Sequence, residues 1–254
     1  MTDSLLTEYR DGIAVLTINR PEARNAADRA LAEALAATLD EIDERPEISV
    51  IVLTGAGGTF CSGMDLKAFL RGERASLPGR GFAGMTARPP ATPVIAAVEG
   101  AAVAGGCELV LACDMVVAAE NAKFGVPEVK RGLVAVGGGL LRLPQRIPYQ
   151  IAMELILTGE LIDGRRAHEL GLVNRLTQPG GALEEALRLA EAVAANGPLA
   201  VRASKEIIRT APSWSAAEAY DAQMPIARAA FDSDDAKEGA RAFAEKRPPV
   251  WTGR

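Results

Sequence analysis

Twice in this chain a short apolar strand runs into glycines and re-emerges as a helix, over residues 49–69 and again over 94–113. Each opens on a continuous apolar run, SVIVLT and then VIAAV, bounded by turn residues. Such runs belong to strands buried on both faces, as in a sheet covered by helices. We read the pair as a weak internal repeat of a β-β-α unit, which predicts an α/β fold. The side chains available suit close helix–sheet packing: 48% of residues are hydrophobic but only 4% aromatic.

The rest of the chain fits around that repeat. Residues 5–9 and 13–19 are β-like runs joined by Asp11-Gly12, a strong hairpin signal. Asp28 is placed to cap a helix with apolar positions at Leu31, Leu35, Leu39 and Ile42. Residues 70–93 lose all periodicity and read as a mobile loop with one helical turn. After Arg131 the pattern is nearly all helical: 137–146, 149–157, 163–170, 183–195, 198–210, 215–231 and 234–245, with a short strand at 172–176. Asp163 and Asp234 read as caps, and Pro198 suits a first helical turn. The expected organisation is a body over residues 1–195 and a helical region over 196–254.

A formal net charge of -5 argues against nucleic-acid or membrane-surface partners, which favour a basic face. Cys61, Cys107 and Cys113 form no CxxC pair and have no histidine cluster, so neither a disulfide framework nor a metal site is expected. The N-terminus lacks the basic start and apolar stretch of a signal peptide. No apolar run reaches the roughly 18 residues of a membrane span. The expected location is the cytoplasm.

Three segments could carry chemistry. GAGGTFCSGMDL, residues 55–66, fails as a dinucleotide fingerprint, because the third required glycine falls on Phe60. It also lacks the Gly-Lys-Ser/Thr of a phosphate loop. What remains is either a tight strand-to-helix connection or a turn that leaves amides near Gly63 and Met64 pointing into a cleft. In the second segment Gly105 and Gly106 start a helix, whose first amides attract developing negative charge, and Glu108 lies in its first turn. The third, FGVPE, sets Glu128 directly after Pro127. A first-turn stabilising glutamate and a surface ion pair to Lys130 or Arg131 are the plain readings. If the segments converge, two donors and two carboxylates supply what enolate chemistry needs.

Together these segments resemble the enoyl-CoA hydratase/isomerase (crotonase) family over nearly the whole chain. NRPEARNA (19–26) is similar to its opening CoA-contact motif, GAGGTFCSGMDL and AGGCELVLACD (104–114) to its two oxyanion-hole turns, and FGVPE (124–128) to its second glutamate segment. LTGELIDGRRAHELGLVN and FAEKRPPVW also look like family signatures. The resemblance implies a ClpP-like spiral of β-β-α units with a C-terminal helical trimerisation region, assembled as a homotrimer or dimer of trimers.

The resemblance also implies roles. Met64 and Gly105 would bind the thioester oxygen through their amides, and Glu108 and Glu128 would be the catalytic pair. Ala23, Arg24, Ala26, Ser62, Gly63, Asp65 and Leu66 would line the CoA pocket, and Phe243 and Lys246 would reach CoA from the tail. It implies an acyl-CoA substrate and no separate cofactor or metal, coenzyme A being part of the substrate. The activity implied first is enoyl-CoA hydration; carnitinyl-CoA-like dehydration and double-bond isomerisation are the neighbouring activities. A non-catalytic RNA-associated homologue fits poorly with both glutamates and an acidic chain.

There are departures. Met64 stands where hydratases commonly have alanine, which narrows the cleft. Ala104 replaces the first of three glycines, with little chemical consequence expected. LVAVGGGLL (133–141) differs from the usual hydratase segment, and LLRLPQRIP and FAEKRPPVWTGR look closer to carnitinyl-CoA-dehydratase-like members. His168, the single histidine, reads as a solvated or capping residue. Cys61 and Cys107 read as small packing residues, because no base accompanies them.

Overall fold

The computed structural model describes residues 3–254. Strands β1 (Leu5–Arg10) and β2 (Ile13–Ile18) form the expected hairpin. Asp11 and Gly12 both take positive φ, 44° and 78°, as a two-residue hairpin turn requires. Helix α1 (Arg29–Asp43) follows, and Asp28 caps it by accepting a hydrogen bond from the Leu31 amide. Next come β3 (Val50–Gly55), α2 (Leu66–Leu70), β4 (Ser76–Leu77), β5 (Gly81–Phe82), β6 (Val94–Val98), β7 (Ala101–Val103) and α3 (Gly105–Ala112). Strands β8 (Met115–Ala119) and β9 (Lys123–Gly125) lead into α4 (Gly139–Arg146), α5 (Tyr149–Thr158), β10 (Ile162–Asp163), α6 (Gly164–Glu169) and β11 (Arg175–Thr177). Helices α7 (Ala182–Ala194), α8 (Pro198–Thr210), α9 (Ala219–Phe231) and α10 (Asp234–Glu245) complete the chain.

The main sheet has the order β1-β2-β3-β6-β8-β11 and is parallel from β2 onward. Alternation along a strand sends Ile13, Val15, Val50, Val52, Ile95 and Ala97 to one face, where they pack against Ala186 and Ala190 of α7. Alanines four residues apart let that helix lie close to the sheet. Ala14, Leu16, Ile18, Ile51, Leu53 and Ala96 face the other way, into the larger core. Both faces are therefore covered, which is why the strands read as unbroken apolar runs.

A second, small sheet has the order β10-β9-β7, and a bridge between Cys61 and Ala102 extends it. The repeat is thus a strand in the main sheet, a short strand in the small sheet and a helix. Beyond the two copies read from the sequence, β8 and β9 start a third.

Several expectations need correction. Residues 70–93 contain a β-hairpin, β4 with β5, and bury Phe82, Ala83 and Met85. The strand expected at 172–176 instead starts at Arg175 and ends at Thr177, because Leu172 and Val173 turn into the core. The helix expected from 215 starts at Ala219. Ser233, not Asp234, caps α10: its hydroxyl accepts from the Ala236 amide at 3.0 Å.

Helix α8 is fastened to the body by one partly buried and one buried cation. Arg202 donates to the carbonyls of Asp43 and Ile48, both at 3.1 Å. Lys205, only 9% exposed, donates to the Thr92 carbonyl at 2.9 Å and to Asp114 at 2.6 Å. The same Asp114 oxygen accepts the Val94 amide, so one carboxylate joins α8 to the start of β6. Among the described residues, no helix is long and apolar enough to cross a membrane.

Candidate active site

The two glycine turns lie against each other because their backbones are hydrogen-bonded. Phe60 N–H donates to Glu99 O, Cys61 N–H to Ala101 O and Val103 N–H to Cys61 O, at 2.9, 2.9 and 3.1 Å. At Gly106 a Cβ would lie 2.0 Å from the Cys61 carbonyl oxygen, so only glycine permits the approach. Gly63, at φ 98°, sits with its Cα against Ala104 and the Gly105 nitrogen; a Cβ there would lie 3.1 Å from that nitrogen. This contact brings the Gly63–Met64 peptide alongside the first amide of α3. Among the described residues, neither the Met64 nor the Gly105 N–H donates to a protein acceptor. Both are thus free to serve an external oxygen, and Gly105 adds the positive end of a helix.

Ala104 carries more consequence than its sequence suggested. Its backbone is at φ 52° and ψ −129°, a region costly for any residue with a Cβ. That conformation turns the chain from β7 into α3 with the Gly105 amide foremost. The Met64 side chain is partly buried and packs against the main core.

Glu108 is 4% exposed, one turn into α3. Its Oε1 accepts the Gly139 amide at 2.9 Å. A Cβ at Gly137 would lie 2.4 Å from Oε2, and one at Gly139 would lie 3.1 Å from Oε1. The glycine run is therefore a cradle shaped to this carboxyl. Burial pushes Glu108 up to about 7; the charge of Glu128 adds to the rise, while the Gly139 and Gly137 amides and Arg142 oppose it.

Glu128 follows Pro127 in a 3-10 turn, Pro127–Arg131, just after β9. Burial raises its pKa, against its own backbone amide and Arg131. Its Oε2 is buried with no hydrogen-bond partner in the protein. The buried Cys107 thiol, pushed up to about 12 by burial, feels the charge of both glutamates. Two carboxyls with raised pKa values thus interact, and one of them shares α3 with the unpaired Gly105 amide. Burial likewise pushes Cys61 up to about 12, as suits a packing residue. His168 is exposed at the helix surface, with Nδ1 2.8 Å from the Val173 carbonyl.

The positions tied to CoA divide into two groups. Ala23, Arg24 and Ala26 lie beside Ser62, Gly63 and Asp65: Ser62 N–H donates to Arg24 O, Ala27 N–H to Gly63 O and Asp65 N–H to Ala27 O. Arg24 and Leu66 are exposed there. Asp65 already has partners, capping α2 and pairing with Arg20 at 3.0 Å. Partial burial would raise its pKa, but the Ala68 amide and Arg20 hold it below the usual carboxylate value. Phe243 and Lys246, in contrast, lie exposed at the end of α10, which packs on α9.

Reading the sequence missed several supports. Asn25, fully buried, accepts the Arg20 amide and donates to the carbonyls of Ala56 and Thr59, locking the opening motif to the first turn. The residue type was the available signal, since asparagine tolerates the left-handed backbone it adopts here, at φ 56°. Phe82 backs the second turn: a Cβ on Gly105 would lie 2.4 Å from its ring. Gly137 and Gly139 were visible only as an unusual run.

The profile of the enoyl-CoA hydratase/isomerase family matches residues 8–254. The chain belongs to that family. It is an enzyme of the crotonase superfamily and has the crotonase fold. EchA19, an enoyl-CoA hydratase of Mycobacterium tuberculosis, is 44% identical over 98% of this chain and 96% of its own. A carnitinyl-CoA dehydratase of Salmonella typhi is 40% identical over the full length of both chains. The crystal structure of an enoyl-CoA hydratase from M. tuberculosis superimposes with a TM-score of 0.97 at 58% identity, covering 99% of this chain and 100% of the other. In this crotonase the likeness extends over nearly the whole chain, the two turns and both glutamates lying within the matched residues.

Proposed function

We propose that the protein is an enoyl-CoA hydratase that adds water reversibly and syn across a 2-trans-enoyl-CoA. The observation that carries this reading is the buried Glu108 carboxyl, a neighbouring Glu128 with one buried oxygen lacking a protein partner, and two amides without protein acceptors. In the proposed reaction the Met64 and Gly105 amides hold the thioester oxygen. Glu108 takes a proton from water as its oxygen bonds to C3, and the C2–C3 π electrons move onto the thioester oxygen as an enolate. The enolate collapses and C2 takes a proton from Glu128. Losing one such amide donor typically costs about 3 kcal/mol of barrier stabilisation.

Glu108 and Glu128 interact and titrate as a pair, and the competent form carries one proton between them. Activity is therefore expected to fall on both sides of a pH optimum, with one limb near pH 7, where Glu108 titrates.

Dehydration of a 3-hydroxyacyl-CoA, carnitinyl-CoA included, is the second reading. It uses the same groups in reverse, and relatives at 40% identity carry that name. Isomerisation with a single base would not require both glutamates. A panel of enoyl-CoAs from short chains to steroid side chains, with carnitinyl-CoA and other 3-hydroxyacyl-CoAs alongside, separates these readings by product analysis. Water addition to an uncharged enoyl-CoA is expected. Turnover of carnitinyl-CoA alone, or isomerisation without hydration, would refute the hydratase reading.

We further propose that residues 196–254 form the oligomerisation region of a homotrimer or dimer of trimers. Tyr220, Phe231, Phe243 and Val250 are each at least 69% exposed in the single chain, which supports an apolar surface awaiting a partner. A monomer mass by light scattering would remove this proposal. Phe243 and Lys246 would then act on CoA across a subunit boundary.

A further inference from the structure

Behind the glutamate cradle lies an arginine that hydration chemistry does not itself require. Arg142, half-buried on α4, donates through Nη2 to the Thr86 carbonyl at 2.6 Å. Its other guanidinium nitrogen, Nη1, presses on Gly138, where a Cβ would lie 2.1 Å away. Its backbone amide donates to the Gly138 carbonyl at 2.9 Å. Thr86 is 1% exposed, and its hydroxyl accepts the Phe82 amide at 2.9 Å. Phe82 in turn touches both halves of the site: its ring backs Gly105, and a Cβ on Gly137 would lie 3.1 Å from Phe82 Cβ. Gly137 and Gly139 flank the Glu108 carboxyl. The path from Arg142 through Thr86, Phe82 and the glycine run to Glu108 returns to α4, so it closes on itself.

We propose that Arg142 is a positioning residue for the hydration reaction: its guanidinium clamps the segment carrying Phe82 and Thr86 onto the Gly137–Gly139 turn, and so fixes both the amide that holds Glu108 and the ring behind Gly105. A forked side chain is suited to this, since one nitrogen grips a carbonyl while the other occupies the space beside a glycine. Lysine supplies the charge but not the fork.

The charge has a separate effect. Glu108 is faced by Glu128 from the turn after β9, by Arg142 from α4, and by the amides of Gly137 and Gly139. Arg142 itself is faced by Arg146 on its own helix, Arg209 on α8, Glu108 on α3 and Cys113 just after it. Burial and the two neighbouring arginines lower its pKa, while Glu108 and Cys113 raise it. Because Arg142 favours ionised Glu108, removing its charge moves the Glu108 titration to higher pH.

This proposal rests on the hydratase reading, so its test has one arm independent of turnover. Protein labelled with 13C at the glutamate carboxyl carbon is titrated by NMR without substrate, the Glu108 signal being assigned by its absence in Glu108→Gln. Arg142→Met is expected to move the Glu108 step to higher pH, and Arg142→Lys to leave it in place. With an enoyl-CoA that the wild type hydrates, Arg142→Met is expected to lower kcat by roughly 10- to 100-fold, with KM changed much less. Arg142→Lys should regain only part of that loss. A wild-type that hydrates nothing would refute the hydratase reading and leave the NMR step to decide on Arg142. An unmoved Glu108 step in Arg142→Met, or a kcat equal to wild type, would overturn the proposal. If Arg142→Met does not fold, Arg142→Lys decides: a kcat about tenfold down with an unmoved step supports the clamp, and a wild-type kcat overturns it.

Discussion

Glu108→Gln is expected to lower kcat roughly a thousandfold and to stabilise the folded protein at alkaline pH. Both effects come from one environment. Burial lifts Glu108 to about 7 from the ordinary 4.5, so the folded state holds that proton more tightly than the unfolded chain does. Below pH 4.5 the group is protonated in both states and contributes no difference. As pH rises towards 7 the unfolded chain ionises freely while the folded site resists, and the folded state loses stability. Above 7 the loss is complete, with an upper limit of about 3 kcal/mol. Glutamine cannot ionise, and its carbonyl can still accept the Gly139 amide. The variant should therefore match wild type near pH 4 and melt higher at pH 8, by roughly 5–10 °C for that energy. Thermal melts at both pH values, paired with a hydration assay, check this. An equal Tm difference at the two pH values would contradict the account of Glu108, as would retained activity.

Gly106→Ala should damage folding and chemistry together. The new methyl would lie 2.0 Å from the Cys61 carbonyl oxygen and 2.7 Å from its carbon. Both atoms are main chain, so no rotamer change makes room. Relief requires the two turns to separate, breaking the pairing of Cys61 with Ala101 and Val103. A cost of about 3 kcal/mol is expected, with kcat down at least a hundredfold as the Met64 and Gly105 amides part. Gly58 gives the contrast: it lies in the first glycine segment, at φ 73°, but a Cβ there meets nothing within 4 Å. Gly58→Ala should cost only about 1 kcal/mol of backbone strain. Denaturant melts and kcat for both variants check the pair, and a Gly106→Ala protein as stable and active as wild type would contradict the packing argument.

What the sequence disclosed follows from the range over which each signal acts. The main-sheet strands were readable because both faces are buried, so β3 and β6 appear as unbroken apolar runs. Strands β7 and β9 have three residues each and β10 two, too short for a period-two pattern. Residues 70–93 looked irregular because Phe82, Ala83 and Met85 are buried amid glycines, with no periodicity to mark them. Met64, Gly105, Glu108 and Glu128 stood out because their local motifs resemble a family pattern. Gly137 and Gly139 did not, since their purpose exists only against a carboxyl some 30 positions earlier. Arg142 acts on Thr86 at a separation of 56 residues, which no local pattern can express.

The most direct measurement of the central arrangement is isotope-edited infrared difference spectroscopy on an enoyl-CoA carrying 13C at its thioester carbonyl, bound to the slow Glu108→Gln variant. If the Met64 and Gly105 amides both grip that oxygen, the carbonyl stretch falls below its value for the same thioester in water. A stretch at or above the aqueous value would mean that the amides do not hold the oxygen, and the proposed catalytic arrangement would be wrong.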